Sequence, residues 1–131
     1  VDSMEDACKT MDAVSLHIPL NDQTKNIINY DLLKTMKNNC IIINAARGGI
    51  VNEVDLDKAL NESLIFGAGL DVFETEPPDP NNPLLKNDKV FLSPHTAAFT
   101  EECMTRMGKE TIQNIIDFFD EKLEKSKIIK L

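Results

Sequence analysis

The chain has 131 residues, which is one domain's worth, and 42% of them are hydrophobic, enough to build a core. Its formal net charge is −8, with Asp and Glu spread along its length, which argues against nucleic acid or an anionic membrane as its main partner. A small anionic substrate stays compatible, because one local arginine reverses the field inside a cleft. Three cysteines (Cys8, Cys40 and Cys103) are odd in number and lack CxxC spacing, so they read as reduced thiols of a cytoplasmic protein. The two histidines, His17 and His95, are far apart with no ligand pattern around them, so no metal is expected. No signal peptide or apolar membrane span is evident. The chain begins at Val1 without a methionine, so a missing upstream portion is expected.

In chain order, Ser3-Met4-Glu5-Asp6 reads as a helix start capped by Ser3, with Met4, Ala7, Cys8 and Met11 at helical spacing. Residues 13–18 read as a short apolar strand stopped by Pro19, with His17 near its end, where it can face a ligand but is read first as a packed structural histidine. Residues 21–24 are turn material. A helix is expected from Asn29 through Leu32, Leu33 and Met36, ended by Asn38-Asn39. Ile41-Ile42-Ile43-Asn44-Ala45-Ala46-Arg47-Gly48-Gly49 then follows. Its three isoleucines read as a strand buried on both faces, and its Gly pair as a turn leaving Arg47 at the strand's C-terminal end. In an open α/β sheet that end is the ligand-binding rim. Arg47 has a planar fork of donors suited to a carboxylate, either an acidic side chain of the fold or a ligand.

Asn52 caps the next helix, which carries Leu56, Ala59 and Leu60, with Asp55 in the capping position. Residues 64–73 read as a strand whose glycines mark the close approach of another backbone or a ligand, with Asp71 near its end. From Glu74 to Pro83 four prolines rule out a regular element and make a stiff loop that holds Glu76. Val90-Phe91-Leu92 is a last strand cut off by Pro94, with His95 next and the small residues Thr96-Ala97-Ala98 after it, whose backbone a ligand can approach. Thr100 caps a long helix with Glu101 and Glu102 in its first turn, where the dipole favours acids. Met104, Met107, Thr111, Ile115 and Phe119 keep the helical period and read as a packing face.

Alternating strands and helices imply a parallel sheet with right-handed crossovers. Such a sheet puts all strand C-termini on one rim, so Arg47, Asp71, Glu76 and His95 can converge there. A His–Glu pair moves a proton to or from a carbonyl or alcohol oxygen, and an arginine holds a carboxylate and polarises the group being reduced.

Several stretches resemble the D-isomer-specific 2-hydroxyacid dehydrogenases, the family that includes D-3-phosphoglycerate dehydrogenase, glyoxylate/hydroxypyruvate reductase and D-lactate dehydrogenase. They are Ala13-Val14-Ser15-Leu16-His17-Ile18-Pro19-Leu20, the run Ile43 to Gly49, the run Gly67 to Pro77, and Ser93-Pro94-His95, in the family's order and spacing. The resemblance implies a partial Rossmann-like, doubly wound α/β sheet: the second half of an NAD-binding domain over residues 1–131, with residues 100–131 mainly the C-terminal helix. It implies NAD or NADP as cofactor and hydride transfer between it and a small D-2-hydroxy acid/2-oxo acid pair. It also implies Arg47 as the substrate-binding arginine and His95 as the acid/base, with Glu76 paired to it. Asp71 is implied to hold the nicotinamide carboxamide. Ala45, Ala46, His17, Pro19, Ala97 and Ala98 are implied to lie against the cofactor, with Arg47 and His95 also reaching it. Where many members carry a Gly-rich pair after the histidine, this chain has Thr96-Ala97-Ala98, still small.

The sequence contains no GxGxxG phosphate fingerprint. The 131 residues alone are therefore expected to be inactive and, with a sheet edge uncovered, to self-associate or be marginally stable. The parent is expected to be a homo-oligomer. The competing function is an NADH-sensing co-repressor-like binding protein of the same fold, distinguished by whether it oxidises NADH with 2-oxo acids.

Overall fold

The computed structural model describes residues 3–128. The chain divides into two units between Thr96 and Ala97. The first opens with α1 (Met4–Thr10), then β1 (Ala13–Leu16), α2 (Tyr30–Leu33), β2 (Ile41–Asn44), α3 (Glu53–Asn61), β3 (Gly67–Leu70), a 3-10 turn at Pro83–Lys86 and β4 (Val90–Leu92). The four strands pair in parallel in the order β1-β2-β3-β4. Consecutive parallel strands need a crossover, and α2 and α3 supply the first two.

The caps read from the sequence are in place. The Ser3, Asn29 and Asn52 side chains accept from the backbone N–H groups of Asp6, Leu32 and Asp55, each three residues on. The helix starting at Asn29 is shorter than its pattern: α2 is one turn, and Met36 lies beyond it although still buried. Past Leu33 the Thr35 and Met36 N–H groups bond three residues back, to the Leu32 and Leu33 carbonyls, so the last turn tightens before the chain leaves for β2.

Register shows which residues share a face. Leu16, Asn44, Leu70 and Leu92 lie in one row, and Val14, Ile42, Ala68 and Val90 in the next. This face meets Leu32 and Leu33 of α2 and Leu56, Ala59 and Leu60 of α3, and with Ile28, Ile50 and Leu84 they form the core. Burying a leucine such as Leu56 or Leu60 completely contributes roughly 1.5–3 kcal/mol. Cys8 and Cys40 are also fully buried and unbridged, and burial pushes both thiols up, away from reactivity.

The opposite face corrects the expectation that β2 is buried on both sides. Ile42 and Asn44 are buried, but Ile41 and Ile43 are 37% and 40% exposed. They share their face with Gly67, Gly69 and Phe91, and no helix of the first unit covers it. A run of β-branched residues states that both faces are apolar but does not say that both are covered. The glycine reading holds at Gly67, where a Cβ would lie 2.9 Å from the Lys89 carbonyl oxygen. Gly69 has only ordinary contact with Ile43, and the strand expected over 64–73 is confined to Gly67–Leu70.

The second unit holds α4 (Glu101–Phe119), capped by the Thr100 hydroxyl on the Cys103 N–H, and a 3-10 turn at Lys125–Lys127. The expected apolar stripe runs along α4, with Met104, Met107, Ile115 and Phe119 exposed. Among the described residues no helix is long and apolar enough to cross a membrane.

Candidate functional site

The strand C-termini deliver two neighbouring sets of side chains to one rim. The first set follows β2. Asn44, its last residue, is 2% exposed, and both ends of its amide are used. Its Nδ2 donates to the Arg47 carbonyl at 2.9 Å and its Oδ1 accepts from the Ala46 N–H at 3.2 Å. The Ala45–Arg47 loop is thereby tied to the sheet. The sequence reading passed over Asn44, although a lone amide at the end of an isoleucine strand is the signal that a loop is being pinned. Gly48 is required by packing: a Cβ there would lie 1.8 Å from the Phe73 carbonyl oxygen, so the two exit loops touch through their backbones. Gly49 follows with φ +80, a conformation glycine adopts without strain.

Arg47 itself is exposed, and its Nη1 donates only to the neighbouring Ala46 carbonyl, at 2.6 Å. Among the described residues it forms no ion pair, so the fold supplies no acidic partner for it. A groove of about 600 Å³ runs past it, lined by His17, Ile18, Pro19, Leu20, Ala45, Ala46 and Arg47. His17 was expected to be packed. It is exposed, one residue beyond β1, with its Nε2 2.8 Å from the Ser15 hydroxyl.

The second set follows β3 and β4. Asp71 is the first residue past β3 and is buried at 6% exposure. A buried carboxylate needs donors, and its Oδ1 accepts from the Ser93 hydroxyl at 2.5 Å and the Thr96 N–H at 2.8 Å. Its backbone carbonyl accepts from the His95 N–H at 2.9 Å. Glu76 comes back toward Asp71 from the proline-rich loop. Its Oε1 accepts from the Phe73 N–H at 3.0 Å, and its Oε2 lies 2.8 Å from His95 Nδ1. The His95 hydrogen bond, and after it the Phe73 N–H, holds the Glu76 carboxyl below its usual range. An ionised carboxylate only accepts, so His95 Nδ1 carries a proton and Nε2 is the atom turned to other chemistry. His95 has φ +56, unusual for a residue with a side chain.

Glu53, in the first turn of α3, secures the far side of this loop. Its two carboxylate oxygens accept from the Glu74 N–H and the Asn82 side-chain amide, each at 2.6 Å. The expected irregular stretch ends in a 3-10 turn begun by Pro83, a residue suited to a first helical position because it lacks the N–H that would go unused there. Thus Asp71, Glu76 and His95 form one hydrogen-bonded group. Arg47, His17, Pro19, Ala45 and Ala46 line the groove at the ends of β1 and β2. Ala97 and Ala98 are exposed residues that begin the second unit.

A parallel α/β sheet with a histidine–carboxylate pair and an arginine at its strand C-termini defines a nucleotide-binding type of domain fitted for acid–base chemistry. Residues 1–97 match the family model "D-isomer specific 2-hydroxyacid dehydrogenase, NAD binding domain". The chain belongs to that family, whose cofactor is of the NAD type. It is 44% identical over 115 residues to a glyoxylate reductase of Korarchaeum cryptofilum, covering 88% of this chain and 35% of that protein. It is equally identical, over the same length, to a D-3-phosphoglycerate dehydrogenase of Methanocaldococcus jannaschii, where the match covers 22% of the relative. Among solved structures, the NAD-complexed D-isomer specific 2-hydroxyacid dehydrogenase of Lactobacillus delbrueckii ssp. bulgaricus superposes with a TM-score of 0.84 at 32% identity, covering 94% of this chain and 41% of that one. The chain thus spans about a third of the length of the first of these relatives.

Proposed function

We propose that this chain is the cofactor-side part of an NAD(P)-dependent oxidoreductase that interconverts a small D-2-hydroxy acid and its 2-oxo acid, of the glyoxylate, hydroxypyruvate or 3-phosphoglycerate kind. The observation that carries it is the His95 Nδ1–Glu76 Oε2 contact of 2.8 Å, with Glu76 anchored in turn on the Phe73 N–H. That arrangement fixes the imidazole and leaves Nε2 to hold or release a proton. The residues present also fit a nicotinamide nucleotide. Ala45 and Ala46 put small side chains in the lining of the groove, and Arg47 has no acidic partner among the described residues to compete with an anionic ligand.

In the reduction, Arg47 holds the substrate carboxylate through its two parallel N–H donors and so orients the adjacent carbonyl. A nicotinamide nucleotide held along Ala45, Ala46 and Asp71 would supply the hydride needed at the carbonyl carbon. His95 Nε2 gives its proton to the carbonyl oxygen as the charge there develops, and Glu76 stabilises the imidazolium before that transfer. In the reverse direction His95 takes the hydroxyl proton. Asp71, Ala45, Ala46, His17 and Pro19 are assigned to the cofactor side, as are Ala97 and Ala98 of the second unit.

The test is NADH oxidation by the protein expressed from its own gene, with a panel of 2-oxo acids, alongside Arg47→Ala and His95→Ala. Turnover with one or more oxo acids, lost in both variants while the fold persists, is the expected result. Retained activity in both variants overturns the assignment. NADH binding without turnover of any oxo acid favours a sensing protein of the same fold.

A further inference from the structure

We propose that Ser93 is a positioning residue for His95, acting through Asp71. The inference rests on the reading of His95 as the acid/base and extends it to a side chain that touches neither substrate nor cofactor in that reading.

The geometry is a bracket around two residues. Ser93 and Thr96 flank Pro94-His95, and both reach the same atom: the Ser93 hydroxyl and the Thr96 N–H donate to Asp71 Oδ1 at 2.5 and 2.8 Å. Between them, the His95 N–H donates to the Asp71 carbonyl at 2.9 Å, and the Ser93 N–H donates to the Leu70 carbonyl at 3.0 Å. One residue, Asp71, therefore holds both flanks of the His95 segment and its middle. His95 itself sits at φ +56, a left-handed conformation that is unfavourable for a residue with a Cβ and persists only where its surroundings impose it. The bracket is what imposes it here. It turns the chain so that Nδ1 meets Glu76 Oε2 at 2.8 Å.

Of these donors to Asp71, Ser93 contributes a side chain, so its contact is removable by substitution. Thr96 and His95 contribute backbone N–H groups that any residue but proline retains. Ser93→Ala withdraws a charge-assisted hydrogen bond from a carboxylate that is 6% exposed. The buried Asp71 must then shift toward its remaining donors, and the segment it brackets shifts with it.

A merely structural serine would lower stability without changing how Glu76 titrates, and the test reads that difference. Three titratable groups face one another here: Glu76 from the loop after β3, Asp71 from the end of β3, and His95 from the end of β4. In the protein expressed from its own gene and labelled with carboxyl-13C glutamate, the Glu76 resonance is assigned by its loss in Glu76→Gln and followed with pH. Ser93→Ala is expected to move the Glu76 titration up toward an ordinary carboxyl and to lower kcat by about 10- to 100-fold, the scale of a small misplacement of a catalytic group. Ser93→Thr, which keeps the hydroxyl, is expected to restore both. Should Ser93→Ala be too unstable to assay, Ser93→Cys carries the same test, with a weak donor of similar size and an intermediate displacement expected.

If His95→Asn is inactive yet Ser93→Ala leaves the Glu76 titration unchanged, the positioning role is overturned, whatever its activity. If His95→Asn turns over as fast as the unaltered protein, the acid/base reading falls, and this inference with it.

Discussion

The two sets of residues at the rim are built on opposite plans. After β3 and β4, Asp71, Glu76 and His95 are held by hydrogen bonds of 2.5 to 3.0 Å, and even the strained backbone of His95 is bracketed. After β2 it is the loop that is pinned, by Asn44, while the Arg47 side chain reaches outward and rests on a neighbouring carbonyl. The difference matches the tasks proposed for the two sets. Proton transfer requires atoms to be within hydrogen-bond reach before the reaction begins, so its groups are fixed in advance. Capturing an anion requires a charge that the protein has not already neutralised, and the ligand itself completes the geometry.

That contrast can be broken at several points. The largest expected effect is at the fixed end: His95→Asn keeps a polar side chain of related shape but cannot carry the proton, so kcat for oxo-acid reduction should fall about 10³-fold with the melting temperature little changed. Next is the joint between the two sets. Gly48→Ala puts a Cβ 1.8 Å from the Phe73 carbonyl oxygen and 2.5 Å from the Glu74 nitrogen, both backbone. It should destabilise the protein by about 3 kcal/mol, read as a lower urea midpoint, and should harm both sets together. At the open end, Arg47→Lys keeps the charge and loses the fork. It should reduce kcat/KM for the oxo acid about 30-fold without loss of stability, since Arg47 is exposed and pairs with nothing acidic among the described residues.

The smallest effect is a pH dependence. The Glu76 carboxyl is held below its ordinary value, first by His95 and then by the Phe73 N–H. Its folded-state pKa is therefore lower than its unfolded one. The pairing contributes to stability in full above the unfolded carboxyl range, near 4.5, and that contribution is lost as pH falls through the lower folded value. The melting-temperature difference between the unaltered protein and Glu76→Gln should accordingly be constant near neutrality and shrink below that range. A difference that persists undiminished into acid would show that Glu76 acts through packing and not through its charge.

Much of this architecture is legible in the residues alone, because the decisive signals are local. Ser3, Asn29, Asn52 and Thr100 each announce a helix start through a side-chain oxygen placed to accept an N–H three residues on. The β-branched run at Ile41 announces a strand, and its alternation with helices fixes a parallel sheet. What stays hidden is whatever depends on a second segment. Nothing in Ile41-Ile42-Ile43 states that one face is left open, since the covering element is not part of the strand. His17 reads as packed because its neighbours are apolar, yet the strand ends at Leu16 and leaves it outside. Asn44 and Ser93 look like incidental polar residues until the loop and the carboxylate they hold are seen beside them. Arg47, Glu76 and His95 stand out in the sequence by their chemistry and their place near strand ends. The hydrogen bond joining Glu76 to His95 spans the proline loop and β4, and only the fold brings them together.

The contact at Gly48 has a consequence for how this family can vary. Position 48 cannot accept a side chain while the backbone at residues 73 and 74 keeps its path. A homologue with alanine or serine there should carry a compensating change, such as an insertion or a glycine, in the segment matching Phe73 and Glu74. Those two stretches are expected to covary across an alignment although more than twenty residues separate them in the chain, and transplanting either one between relatives without the other should yield an insoluble hybrid.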